Sequence, residues 1–292
     1  MIVDAHHHVW NKRDLPWLSG PERPRIFGAY AAIRRDYPIR EYLEDIRGTG
    51  IGKSVYVQAN WDPARFEDEV AWVQSVADDS GWPHAIAGYA DFTVEDVRPQ
   101  LDRLARHALV RGVRQQFHWH DVPRYRFASR PDLAADATVR KNIRCLADYG
   151  WCFELQVFSG QMTHAAELAA QCPDVTFVLQ HAGMLADNTG AGRDLWAAGM
   201  LRLAACPNVV VKLSGFGTFL HRNDPAFIAG MVRETVEMFG ADRCMFGSNF
   251  PIEKLWTGLR EIVDSFLAAT EHLVPGQRDA IFRLTAERVY RL

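Results

Sequence analysis

The stretch Ile2-Val3-Asp4-Ala5-His6-His7-His8-Val9-Trp10 runs from two β-branched residues through an aspartate into three consecutive histidines. Read as a strand, its side chains alternate between faces, so Asp4, His6 and His8 share one face and Ala5 and His7 the other. The feature to explain is therefore His-x-His: two imidazoles able to converge on one cation or one substrate atom. Three histidines followed at once by Val9 and Trp10 make a poor purification tag. Polar groups are costly to bury without partners, so a pair at a strand end points to chemistry. A doubly wound dinucleotide fold would carry a glycine-rich phosphate loop here, and the histidines stand in its place.

Outward from this strand the same type of element recurs. Runs rich in β-branched or aromatic residues, bounded by Gly, Pro, Asn or Asp, lie at 2–9, 53–60, 84–92, 110–117, 151–158, 175–183, 208–215 and 243–251. Between them, 38–48, 63–80, 95–108, 138–149, 161–171, 193–205, 225–239 and 255–269 carry helical spacing, and a further helix at 275–290 closes the chain. Eight alternating β and α units in 292 residues predict a single-domain (β/α)8 TIM barrel over 1–292. Residues 10–37, rich in Pro, Gly and aromatics, are too long for an ordinary βα loop. They are expected to form an ordered flap or pocket wall.

Composition narrows the function. With 48% hydrophobic residues the chain can bury a large core, and a net charge of −3 without a basic stripe argues against nucleic acid. Cys145, Cys152, Cys172, Cys206 and Cys244 show neither CxxC pairing nor disulfide rhythm, which fits reduced thiols. No leader-like segment or long apolar run stands out. A cytoplasmic enzyme acting on a small molecule, away from membranes, is the expectation; a homo-oligomer is left open.

In such barrels the C-terminal strand ends carry the chemistry. They offer His6 and His8; Gln58 and Asn60; Asp91; Arg114 and Gln116, with His118 and His120 beyond; Glu154 and Gln156; His181; Lys212 and Ser214; Ser248 and Asn249. Arg114 has the planar donor fork that suits a carboxylate or carbonyl. Gln58, Gln156 and Lys212 are further candidates for substrate contact, against the alternatives of backbone satisfaction for the glutamines and an ion pair for the lysine. Trp10, Trp17, Trp61, Trp119 and Phe250 read as pocket wall or core.

DAHHHVW, VQAN, GVR, LQHAG, VKLSG and FGSNFP, in this order along the whole chain, resemble the amidohydrolase-related (amidohydrolase 2) barrels. The similarity is to the lactonase-like group that includes 2-pyrone-4,6-dicarboxylate lactonase and sugar-acid lactonases. The resemblance implies a reaction centre built from His6, His8 and His181, with Asn249 where the family keeps an aspartate. In that family the histidines hold one divalent metal, often Zn2+, in some members and work without it in others; both states are open here. Asparagine keeps the shape of aspartate but supplies no charge and no useful base, so metal affinity should be weakened. Without that aspartate, the base would be His181, His120 or Asp91.

The lead expectation is a hydrolase, specifically a lactonase opening a carboxylate-bearing or sugar-acid lactone by attack of an activated water. Ser248 and Ser214 lie in no G-x-S-x-G setting, so a nucleophilic serine is disfavoured. The alternatives are a metal-dependent decarboxylase of an unsaturated or aromatic acid, and a barrel that binds a small acid without turning it over.

Overall fold

The computed structural model describes all 292 residues. Eight strands form one sheet in the order β1 to β8: Ile2–His7, Ile51–Val57, Ala85–Gly88, Val110–Val113, Cys152–Leu155, Phe177–Leu179, Val209–Leu213 and Cys244–Phe246. Every neighbouring pair is parallel. Beyond the β8 ladder the chain returns to β1: Asn249 N donates to His6 O at 2.8 Å and His8 N to Phe250 O at 2.7 Å. A sequential order that closes on itself is a barrel, and the doubly wound alternative is gone.

Between strands run the helices Ile39–Asp45, Phe66–Ser80, Arg98–Leu104, Ala137–Arg144, Met162–Gln171, Gly190–Ala204, Pro225–Phe239 and Leu259–Ala269. Their ends follow local chemistry. Asp224 accepts from Phe227 N, with Pro225 in the first turn; Asp136 accepts from Thr138 N and Val139 N. The helix beginning at Pro225 buries Ile228, Met231, Val232, Thr235 and Phe239, one stripe at helical spacing against the sheet. No helix is long and apolar enough to cross a membrane.

Two expectations need correction. The strands are shorter than their apolar runs: β2, β6 and β8 leave the ladder at Val57, Leu179 and Phe246. Just beyond, Asn60, His181 and Asn249 take left-handed φ values of 62°, 54° and 56°, turning the backbone so that these residues ring the barrel mouth. The second correction concerns β1. Asp4 pairs with Ser54 and His7 with Tyr56, three steps against two, so a β-bulge intervenes. Simple alternation had put Asp4 with His6 and His8. Instead Asp4 and His7 both face outward against Tyr42, which donates to Asp4 Oδ2 at 2.9 Å and stacks on His7 with ring centroids 4.0 Å apart.

The barrel interior is layered. Val3, Ala5, Val55, Ala85, Cys152, Val178, Val210 and Met245 fill the floor, capped by Ala286 and Tyr290 from the C-terminal helix. Two residues further along their strands, Glu154, Gln180 and Lys212 form a polar layer, fully buried. Lys212 Nζ bonds both Glu154 oxygens at 2.9 and 2.7 Å, and Tyr290 also donates to Glu154. The next step along each strand reaches the mouth.

Residues 10–37 form an ordered flap with short helical turns at Lys12–Asp14, Pro16–Ser19 and Ala31–Ile33. It is pinned at both ends and in the middle. Trp10 and Tyr37 exchange backbone hydrogen bonds of 2.9 Å, Trp10 Nε1 donates to Arg35 O at 2.8 Å, and Trp17 Nε1 donates to Ala59 O at 2.9 Å.

Candidate active site

The bulge in β1 delivers His6 and His8 to the mouth, and the left-handed turn after β6 delivers His181. The His6 ring lies 5.1 Å from that of His8 and 4.8 Å from that of His181, centroid to centroid. Close packing depends on two glycines. A Cβ on Gly247 would sit 2.8 Å from His6 Cβ, and one on Gly215, at φ 64°, would sit 2.6 Å from His181 Nδ1. His8 Nδ1 lies 2.6 Å from Val57 O, which fixes the proton on that nitrogen and leaves Nε2 as the free acceptor. His181 Nδ1 meets Ser214 Oγ at 2.8 Å. Neither ring nitrogen of His6 has a partner, although both are buried.

Burial holds all three imidazoles below the usual range. For His6 the charge of Lys212 adds to it, and for His8 that of Arg114. His181 is brought down to about 3 by burial, then by Arg114 and Lys212. The three rings are therefore neutral near pH 7, with lone pairs available for substrate.

Arg114 enters from the end of β4. Its Nη1 donates to Gln180 Oε1 at 3.2 Å and its Nη2 to Gln58 O, while the buried Nε–H has no partner. Burial lowers its pKa to about 10 against the raising influence of Glu154 and Glu69, so it stays charged. Gln180 Nε2 in turn donates to Glu154 Oε2 at 2.9 Å. A chain of hydrogen bonds thus holds the guanidinium rigidly and ties it to the Glu154–Lys212 pair.

His8, His181, Asn249, Arg114 and Gln156 line one cavity of about 90 Å³, with His6 packed behind the first two. Gln156 Oε1 is buried there without a partner. Two other candidates do not reach this cavity. Lys212 has 0% exposure and is spent on Glu154, the ion-pair alternative. Gln58 folds its Oε1 back onto Asn60 N at 2.7 Å and faces a neighbouring hollow. Nor do the loop bases converge: Asp91 accepts from Thr93 and Gln115, and His120 Nδ1 accepts from Val122 N. Of the candidate bases, His181 alone lines the cavity.

The structure adds two residues that spacing did not single out. Arg25, from the flap, lines the cavity opposite the barrel and has a buried Nε without a partner. Glu253, four residues after Asn249, is buried and accepts from Asn249 Nδ2 at 3.4 Å, Trp256 Nε1 at 2.9 Å and Thr218 Oγ1 at 3.4 Å. Burial raises its pKa to about 7. Since the Asn249 amide nitrogen points at Glu253, its carbonyl oxygen is the end left for the cavity.

Three neutral imidazoles can hold zinc with a water, but the chemistry around this set weakens its hold on a divalent ion. Three imidazoles and an amide bring no negative charge, and the carboxylates of Glu154 and Glu253 are engaged elsewhere. As the side chains stand, no three His, Cys, Asp or Glu groups close on one ion. Arg114 and Lys212 add positive charge to the same space.

Residues 3–292 match the family model described as amidohydrolase. An uncharacterised protein of Sinorhizobium fredii, y4mH, is 35% identical, with 100% of this chain and 98% of that one covered. An L-fucono-1,5-lactonase of Burkholderia multivorans is 28% identical over 99% of this chain and 96% of its own. An amidohydrolase of Burkholderia multivorans, solved once with HEPES bound and once with zinc bound, is 27% identical, with a TM-score of 0.83 and 100% and 99% coverage of the two chains.

Proposed function

The chain belongs to the amidohydrolase family, and from that premise we propose that it is a lactonase opening the ring ester of a sugar-acid or carboxylate-bearing lactone. One observation carries this reading: His6, the Nε–H of Arg114 and Gln156 Oε1 are buried polar groups without partners at one strand-end mouth. Leaving each unsatisfied costs on the order of 1–3 kcal/mol; Arg114 and Gln156 line the cavity, where a hydroxylated ester would recover that cost on binding, while His6 backs His8 and His181. The L-fucono-1,5-lactonase at 28% identity supports the substrate class.

In the proposed reaction, the ester carbonyl lies against the free Arg114 Nε–H, whose charge stabilises the oxyanion that develops, while His8 Nε2 accepts from a substrate hydroxyl. Asn249 Oδ1 accepts a hydrogen bond from the attacking water, and His181 Nε2 takes its proton. A pKa of about 3 makes His181 a weak base in the free enzyme. Burial is the main cause of that depression, and negative charge developing beside Arg114 offsets the second one, the guanidinium's own charge, so His181 becomes a stronger base as the oxyanion forms. The imidazolium then returns the proton to the ring oxygen as the C–O bond breaks, giving the hydroxy acid.

His6, His8 and His181 would hold a divalent ion if one binds, where it would polarise the ester carbonyl; no step is assigned to it. Decarboxylation is disfavoured, since Asn249 leaves the imidazoles without a neighbouring carboxylate. A panel of aldono-1,5-lactones, with acid release followed by a pH indicator and with EDTA or added zinc in parallel arms, tests the reading. We expect ring opening unaffected by EDTA. Carbon dioxide release from aromatic acids without lactone opening would refute it, and so would binding of lactones without turnover.

A further inference from the structure

The cavity at the imidazoles, about 90 Å³, is small for a ligand site; such sites run roughly 300–1,000 Å³. A hollow of about 580 Å³ adjoins it, and Trp17, Arg25, Asn60 and Gln116 line both. Beyond that shared wall the hollow presents the aromatic side chains of Trp61, Tyr89 and Phe127 together with Gln115 and Asp91. Just behind its lining, Gln116 Oε1, Trp61 Nε1 and Arg25 Nε are enclosed without partners, within reach of a ligand after small side-chain shifts. Gln116 is 9% exposed and Trp61 6%, so water does not freely serve them. Phe127 is 46% exposed at the hollow's lining, an aromatic surface left open.

The open ring of Phe127 and the half-buried Tyr89, beside donors and acceptors left without partners, match a pyranose ring, which offers flat C–H faces and a rim of hydroxyls. Carboxylates (Asp62, Glu69, Asp91) on the barrel side and guanidinium groups (Arg23, Arg25) on the flap side leave no single-sign field, so a neutral group fits better than an ion. We infer that this hollow is a subsite for a second sugar ring attached to the lactone, making the substrate a disaccharide-type aldonolactone. The inference rests on the lactonase reading and names its substrate class.

The test compares kcat/KM for glucono-1,5-lactone with that for cellobiono- and maltobiono-1,5-lactone, in the natural protein and in Trp61→Phe and Phe127→Ser. Trp61→Phe keeps the ring and removes the unpaired N–H; Phe127→Ser removes an exposed ring at little risk to folding. A disaccharide lactone should be favoured at least tenfold, chiefly through KM, and each variant should cut that preference several-fold. Opening of glucono-1,5-lactone with no disaccharide preference, or a preference that both variants leave intact, overturns the subsite while the lactonase reading stands. If no lactone is opened, the lactonase reading fails. Calorimetry with cellobionic acid then decides the subsite: binding weakened by Phe127→Ser supports it, and no binding overturns it.

Discussion

Replacing His7 by phenylalanine should make the protein less sensitive to acid while leaving turnover nearly intact. His7 is fully buried, stacks almost parallel on Tyr42 at an interplanar angle of 13°, and has no partner for either ring nitrogen. Burial lowers its pKa from 6.5 to about 3. The unfolded chain therefore takes up a proton as pH falls through 6.5, whereas the folded chain refuses it until about pH 3. Stability is lost across that window as pH falls. Between pH 7 and pH 5 the loss from this residue is about 2 kcal/mol, from 1.5 pH units below 6.5 at about 1.4 kcal/mol each. Phenylalanine keeps the stack and does not titrate. Urea unfolding of both proteins at pH 7 and pH 5 should show the variant losing about 2 kcal/mol less than the natural chain. The other buried histidines titrate in both, so the difference isolates His7. Equal losses would show that the native His7 is protonated or hydrated, and collapse of turnover would show that it faces the mouth.

His6→Ala and His8→Ala should each lower kcat by about 10²–10⁴-fold with the fold retained by circular dichroism, the usual scale for losing an acid–base or polarising group; wild-type turnover in either would remove it from the reaction centre. The flap should resist trypsin after Arg25 in the folded protein, because Trp10, Trp17 and Tyr37 anchor it; rapid cleavage there, with or without ligand, would contradict its order.

Much of this was legible because buried parallel strands announce themselves. Val209–Leu213 is Val-Val-Val-Lys-Leu, apolar on both faces but for one residue, and Phe177–Leu179 and Cys244–Phe246 are apolar throughout. His6, His8, His181 and Asn249 were found because polar residues at the ends of such runs must answer to something. The bulge was not legible. One extra residue in β1 leaves no trace in an apolar pattern, yet it reverses the side on which Asp4 falls. Lys212 resembled a site residue because the Glu154 that neutralises it lies 58 residues earlier, on another strand. Arg25 and Glu253 escaped for a related reason. Arg25 lies in the flap, with no strand period to orient it, and Glu253 reaches Asn249 only through the turn after the eighth strand.

Glu253 also changes what an aspartate at 249 would do. In isolation, Asn249→Asp places a negative charge beside three neutral imidazoles, and a unit charge about 4 Å away attracts each unit of ion charge by roughly 4 kcal/mol at an effective dielectric near 20. Here the new carboxylate would lie where Asn249 Nδ2 now stands, 3.4 Å from Glu253 Oε1. Glu253 already holds its proton up to about pH 7 through burial, and a second carboxylate raises that value further, so the pair shares one proton at neutral pH. The pair then carries one charge, most of which Glu253 alone already carries at pH 7.5; the substitution moves it from Glu253 to position 249, toward the imidazoles and Arg114. We expect Asn249→Asp to retain at least tenfold more zinc than the natural protein after dialysis at pH 7.5, measured by elemental analysis on folded samples. Asn249→Asp combined with Glu253→Gln should retain at least as much, because the neutral partner leaves the charge in place. Over acid pH the single variant should shed zinc as the shared pair takes up its second proton. Equal zinc in all three proteins would mean that charge at 249 does not act on the imidazoles, and the role given to the Asn249 carbonyl in holding the attacking water would fall with it.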